Sequence, residues 1–208
     1  MELKEMNIKE ITEQLAAGTP APGGGSAAAL AGALGASLAA MVGSVTLDRP
    51  KYEPYAATAE RVQRETRLLK DALLECSGRD TEVYLKLTDA FALPKKTPEE
   101  KDARNEAIQA GLIDCIETPM QVIELCLMAL KNTQDLLNGF NTSASSDLGV
   151  AALLLKAALQ GAWLNVRTNL KSLKDREKAA AYTSHGRELM IEAILAADLI
   201  YQQALEQI

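Results

Sequence analysis

The chain has 208 residues, a net charge of −6 and an isoelectric point near 5.0. An acidic balance argues against a general nucleic-acid binder, which would carry a basic patch or stripe. Alanine and leucine, both strong helix formers, make up about a third of the chain, which leaves little material for a sandwich, barrel or large sheet.

One domain over 1–208 is expected, since a chain of this length buries roughly 70% of its unfolded surface without disulfides or metal. The opening MELKEMNIKE is too charged for a secretory signal. Asn7 and Glu10 form a capping pair that opens a short helix, which Gly18 stops. Thr19 to Gly25 is a turn-rich loop. Ser26 is then expected to cap a helix running to about Leu47. Residues 21–47 carry no charge, which is long enough to span a bilayer. Their Ala, Gly and Ser content contributes little to membrane insertion. Ala28, Gly32, Ala36, Ala39 and Gly43 also share one face, which suits a close-packed central helix or a dimer seam.

Asp48-Arg49-Pro50 breaks this helix. A long helical pattern follows from Glu53 to Phe91, with Gly78 as a potential break. Thr97-Pro98-Glu99-Glu100 carries the signals of a new helix start. That helix is expected to be interrupted near Pro119 and to end at Asn138-Gly139. Ser146 is expected to cap a further helix to about Leu173, and a last one runs from about Lys174 to Gln207. The fold class is all-α, a bundle of six or seven helices.

Cys76, Cys115 and Cys126 are odd in number and show no CxxC spacing, as in reduced thiols of a cytoplasmic protein. With one histidine, His185, no standard zinc framework exists, and no metal is expected. His185 reads as an ordinary surface residue.

Four groups could carry chemistry. Asp80 takes an apolar slot in the stripe Leu73, Cys76, Asp80, Val83, Leu87. A carboxylate there is either a poised acid–base group or a hydrogen-bond partner for a neighbouring helix end. Tyr84 shares its face one turn on. Pro22-Gly23-Gly24-Gly25-Ser26 exposes backbone N–H groups at a helix start, which favours an anion or a developing oxyanion, or else lets the chain turn tightly. Ser146 and Asp147 start a helix, where a carboxylate is stabilised in any case. Asn165 and Asn169 share a face with each other, while Arg167 points away and pairs in register with Lys171. Asp147 and Asn165 are about 27 Å apart on one straight helix, so a bend, an elongated ligand or a second subunit would be needed to unite them. Lys95 and Lys96 form a small basic spot, a solvated loop by default.

These segments occur in a recognisable order. PAPGGGSAAALAGALGASLAAMV comes first, then Asp80–Tyr84 ending at Leu93-Pro94-Lys95, then SSDLGVAA at 145–152, then GAWLNVRTNL at 161–170. The chain resembles the cyclodeaminase/cyclohydrolase family. This family includes the cyclodeaminase half of formiminotransferase-cyclodeaminase and stand-alone methenyltetrahydrofolate cyclohydrolases. The resemblance implies an all-helical homodimer, no metal, and no cofactor beyond a reduced folate, polyglutamylated or not, as substrate. It points to Asp80, Asp147 and Lys95 as catalytic candidates. It places substrate contacts at Pro22, Gly23, Gly24, Gly25, Ser26, Tyr84, Ser146, Asn165, Arg167 and Asn169. Neither nucleic acid nor membrane is expected as a partner. With no transferase half in the sequence, hydrolysis of 5,10-methenyltetrahydrofolate to 10-formyltetrahydrofolate is the expected reaction. Formiminotetrahydrofolate cyclodeamination, with release of ammonia, is the alternative, and a non-catalytic folate-binding or dimerisation module the second.

Overall fold

Asn7 Oδ1 accepts from the Glu10 amide at 3.0 Å, and Glu10 Oε2 accepts from the Asn7 amide at 2.9 Å. That reciprocal cap opens α1 (Ile8–Ala16), and Gly18 at φ 70° ends it in the left-handed conformation only glycine adopts cheaply. A computed structural model describes residues 3–208, and it is all-α.

α2 (Gly24–Leu47) starts two residues before Ser26, with Gly23 at the cap position and no side-chain cap. Ser26 cannot cap because its hydroxyl is committed to a neighbouring helix. A 3-10 segment, Pro50–Tyr55, follows the predicted break. α3 (Ala56–Ala92) is one unbroken helix of 37 residues. Gly78 does not break it, since the buried stripe continues on both sides through Cys76 and Val83, and one glycine costs only about 1 kcal/mol.

α4 (Pro98–Asp135) opens on the expected Thr97–Glu100 capping box and also runs unbroken, through Pro119. Proline removes the donor for the carbonyl four residues earlier. Here that carbonyl, on Cys115, accepts instead from Asn169 Nδ2 at 2.8 Å. α5 (Ser145–Leu170) begins one residue before Ser146, where the Ser145 hydroxyl donates to the Thr142 carbonyl at 2.7 Å. α6 (Arg176–Leu205) starts after Lys174, because Asp175 caps it by accepting from the Lys178 amide.

α2 lies between α3 and α5, with α4 behind. A Cβ at Gly32 would meet Cys126 Sγ at 3.0 Å, one at Gly35 the Leu155 side chain at 2.8 Å, and one at Gly43 the Ala59 carbonyl at 2.9 Å. The small-residue stripe is therefore what lets three helices close on α2. α3 and α5 run antiparallel to it, so its N-terminus meets Asp80 and Asn165 while Thr46, near its other end, accepts from the Asn141 amide. α6 packs antiparallel along the outside of α5, with Gly186 against Trp163 and Gly149 against Ala204.

By length and composition α2 and the 142–170 stretch could each cross a membrane. In the fold both form walls of the core. α2 is not fully enclosed, however. Its side facing away from the glycine stripe is open, and Leu34 there is 58% exposed.

Candidate active site

The antiparallel packing of α3 on α2 sets Asp80 against the first turn of α2. Ser26, fully buried, donates its hydroxyl to Asp80 Oδ2 at 2.9 Å. The Ser26 backbone amide also favours the charged carboxylate. A Cβ at Gly25 would overlap the Asp80 carboxyl group. Glycine is needed at 25 for that close approach. The expected anion site at the glycine-rich helix start is thus held by the chain's own carboxylate, as a group capping the positive helix end.

Two forces oppose each other on Asp80. Burial raises its pKa above the ordinary carboxylate value, and the Ser26 hydroxyl and amide pull it back in part. The net shift is upward. Cys76 and Cys115 lie close enough to feel the Asp80 charge, and burial pushes both thiols up to about 11. Both are therefore protonated at neutral pH.

A second hydroxyl completes the cluster, with Thr81 Oγ1 3.2 Å from Ser26 Oγ. Thr81 and Pro22 line a groove of about 820 Å³ between the N-terminal segment and α3. Arg79, Glu82 and Gln121 add polar groups to its walls. On the other flank of α2, Asn165 donates to the Gly161 carbonyl at 2.9 Å. A Cβ at Gly24 would lie 3.7 Å from its Nδ2, so Asn165 borders the loop. Tyr84 stands one turn beyond Asp80 and is 42% exposed.

The remaining candidates lie elsewhere. Asp147 and the exposed Ser146 are at the far end of the bundle, beside the C-terminus of α2. The exposed Lys95 follows the end of α3, about 18 Å of helix beyond Asp80. Arg167 is exposed, stacks over the Trp163 ring at 5.9 Å and lines a shallow cleft with Lys171 and Arg187. Asn169 has its amide on Cys115. His185 is exposed, 3.3 Å from Glu124. Among the described residues no three His, Cys, Asp or Glu side chains converge as a metal site requires.

The family model of formiminotransferase-cyclodeaminase matches residues 7–188. The chain belongs to that family. It is 34% identical to a methenyltetrahydrofolate cyclohydrolase of Methylorubrum extorquens, over 94% of both chains. It is 35% identical to the formimidoyltransferase-cyclodeaminase of Mus musculus, over 83% of this chain and 32% of that one. It thus spans about a third of the length of the two-activity relatives and nearly all of the cyclohydrolase. A solved formiminotetrahydrofolate cyclodeaminase from Thermotoga maritima superposes with a TM-score of 0.81 at 25% identity, over 99% of this chain and 97% of that one.

In this formiminotransferase-cyclodeaminase fold, sequence reasoning missed Thr81, Arg79 and Cys115. Thr81 follows Asp80 directly and would be read as pointing off its face. Only the close contact of α2 and α3, permitted by Gly25, brings both side chains to Ser26. Nothing in residue order signals that Cys115 sits near Asp80, because the two are on different helices.

Proposed function

We propose that this chain hydrolyses 5,10-methenyltetrahydrofolate to 10-formyltetrahydrofolate, with Asp80 as the general base. The observation that carries the reading is the half-buried Asp80 carboxylate fixed on the α2 N-terminus, next to Thr81 on the wall of the groove. The full-length match to a protein named methenyltetrahydrofolate cyclohydrolase supports it.

The substrate's bridging carbon, shared by N5 and N10, is an amidinium-like cation, and a negative carboxylate suits it. Water attacks that carbon as Asp80 removes one of its protons. The C–N5 bond of the resulting carbinolamine then breaks, N5 takes a proton, and the hydroxyl loses its own as the formyl C=O forms. No oxidation state changes, so the chemistry calls for no redox cofactor. Asn165, at the edge of the loop, is placed to orient the attacking water or the developing oxygen. Lys95, Lys96 and Arg167 are the cations offered to one or more tail carboxylates.

Asp147 joins this site only in a dimer. Leu34 on the open side of α2 and Val150, Leu153 and Leu164 on α5 are exposed, with Leu38 and Met41 partly so, and α2 itself carries no charged side chain. Exposed apolar side chains gathered on such helices mark an interaction surface. Leu34 lies near the middle of α2, so a two-fold axis there sets one protomer's Asp80 end beside the partner's Asp147 end. A homodimer with a shared site follows.

The second reading, cyclodeamination, is supported by the names of the mouse relative and the Thermotoga structure. There N10 attacks a formimino carbon and ammonia leaves, and the same groups serve. Loss of the near-ultraviolet absorbance of methenyltetrahydrofolate tests hydrolysis. Ammonia released from formiminotetrahydrofolate tests the alternative. Folded protein that accelerates neither reaction sinks both readings.

A further inference from the structure

Hydrolysis of the methenyl cation releases one proton per turnover. Of the two protons of the attacking water, one ends on N5 and one must leave the site. Asp80 is half-buried against the first turn of α2, and a hydrogen-bonded chain leads from it to the groove.

Three oxygens stand in a row, Asp80 Oδ2 to Ser26 Oγ at 2.9 Å and Ser26 Oγ to Thr81 Oγ1 at 3.2 Å. An ionised carboxylate only accepts, so the single Ser26 proton goes to Asp80. The Thr81 hydroxyl must therefore be the donor to Ser26. Once Asp80 has taken a proton from water, it becomes a donor, and the chain can reverse. Asp80 gives its proton to Ser26 Oγ, Ser26 gives its own to Thr81 Oγ1, and the Thr81 proton passes to water. Each oxygen gains one proton and loses one, so both hydroxyls end intact and Asp80 ends ionised. Ser26 is sealed in the core, while Thr81 lines the groove of about 820 Å³.

We propose that Ser26 and Thr81 form a hydroxyl relay that carries the turnover proton from Asp80 to the solvent of the Pro22–Thr81 groove. This rests on the hydrolytic reading above. α2 carries no ionisable side chain between Gly24 and Leu47, and α5 offers the neutral Asn165. The thiols of Cys76 on α3 and Cys115 on α4 hold their protons, and Arg79 lies on the groove wall. Thr81 touches no reacting atom, so it is a positioning and relay residue.

The test is steady-state hydrolysis of methenyltetrahydrofolate by the whole chain at low buffer concentration. Thr81→Val keeps the shape and removes the hydroxyl. It is expected to lower kcat about tenfold, short of the roughly 100-fold that loss of a positioned acid–base group begins to cost, with KM unchanged. Thr81→Ser restores the rate, and added imidazole, a small proton carrier, raises the Thr81→Val rate towards wild type. Thr81→Ala carries the same test should the valine variant fail to fold by circular dichroism. A wild-type rate for Thr81→Val at low buffer overturns the relay and leaves the hydrolase reading intact. A loss repaired neither by serine nor by imidazole marks a packing role and overturns it too. An inactive wild-type chain removes the turnover proton and takes both readings down together.

Discussion

Asn169 donates to the backbone carbonyl of Cys115 at 2.8 Å, the carbonyl that Pro119 leaves without a helical donor. A side chain on α5 thereby repairs α4 one turn before its proline. The repaired turn is the one that holds Cys115 close to Asp80. Asn169 thus supports the site through α4, with its amide already spent.

The pairing gives a stability prediction. Asn169→Ala leaves a carbonyl unsatisfied and should cost about 1–3 kcal/mol. In a Pro119→Ala background residue 119 regains its N–H, so the same change should cost less. Urea unfolding of the four proteins in a double-mutant cycle measures the difference. Equal costs in both backgrounds would refute the account.

Two glycines should behave oppositely. Gly25→Ala places a methyl group on the Asp80 carboxylate, and Asp80 must move or α2 must back away. A large loss of hydrolysis is expected, with helix content kept. Gly78 has open space where its Cβ would be and sits inside α3. Gly78→Ala should raise stability by about 0.4–1 kcal/mol, because alanine has fewer unfolded conformations to lose. Thermal unfolding reads the second effect and the absorbance assay the first.

The pH dependence has a defined sign. Burial raises the Asp80 pKa in the fold above its unfolded value. A carboxyl group of that kind contributes stability that is fully present below the unfolded pKa and lost as pH rises through the folded one. Relative to Asp80→Asn, the wild type should be most stable in acid and lose ground as pH climbs through the raised pKa. Denaturant titrations of both proteins across the acid range check this. In turnover the base must be ionised, so the acid limb of kcat should fall at a higher pH than an unperturbed aspartate would set.

The open α2 face gives a further outcome. Leu34 is 58% exposed in the single chain, so Leu34→Glu should leave the fold intact while splitting a dimer. Light scattering should report a monomer, with hydrolysis lost if the site is shared. Mixing Asp80→Asn with Asp147→Asn protomers should then recover about a quarter of wild-type activity, since half the dimers carry one intact site of two. No recovery on mixing would show that Asp80 and Asp147 do not meet in one site across the interface, and an active Asp147→Asn protein would put Asp147 outside the site.

Much of the architecture was legible in residue order. The capping pairs at Asn7 and Thr97, the Gly18 stop and the small-residue stripe of α2 are local signals, and each stands where expected. The misreadings were also local. Gly78 and Pro119 are poor helix residues, yet both helices run through them. At Gly78 the buried stripe outweighs a small propensity cost. At Pro119 a side chain from another helix satisfies the stranded carbonyl. Ser26 looked like a cap and instead bonds Asp80, 54 residues away.

The sequence by itself determined that this chain is an all-helical member of a folate-enzyme family, with a carboxylate set in an apolar stripe at position 80. Helical periodicity is written in nearest neighbours, and an ionisable group in a buried slot stands out from them. Only the tertiary structure decided what Asp80 faces. The same glycine-rich helix start that looked like an empty anion site is its cap, and Thr81 reaches it through Ser26. Those relations depend on how closely two antiparallel helices approach, a distance set by side-chain volume on both of them and by no single segment.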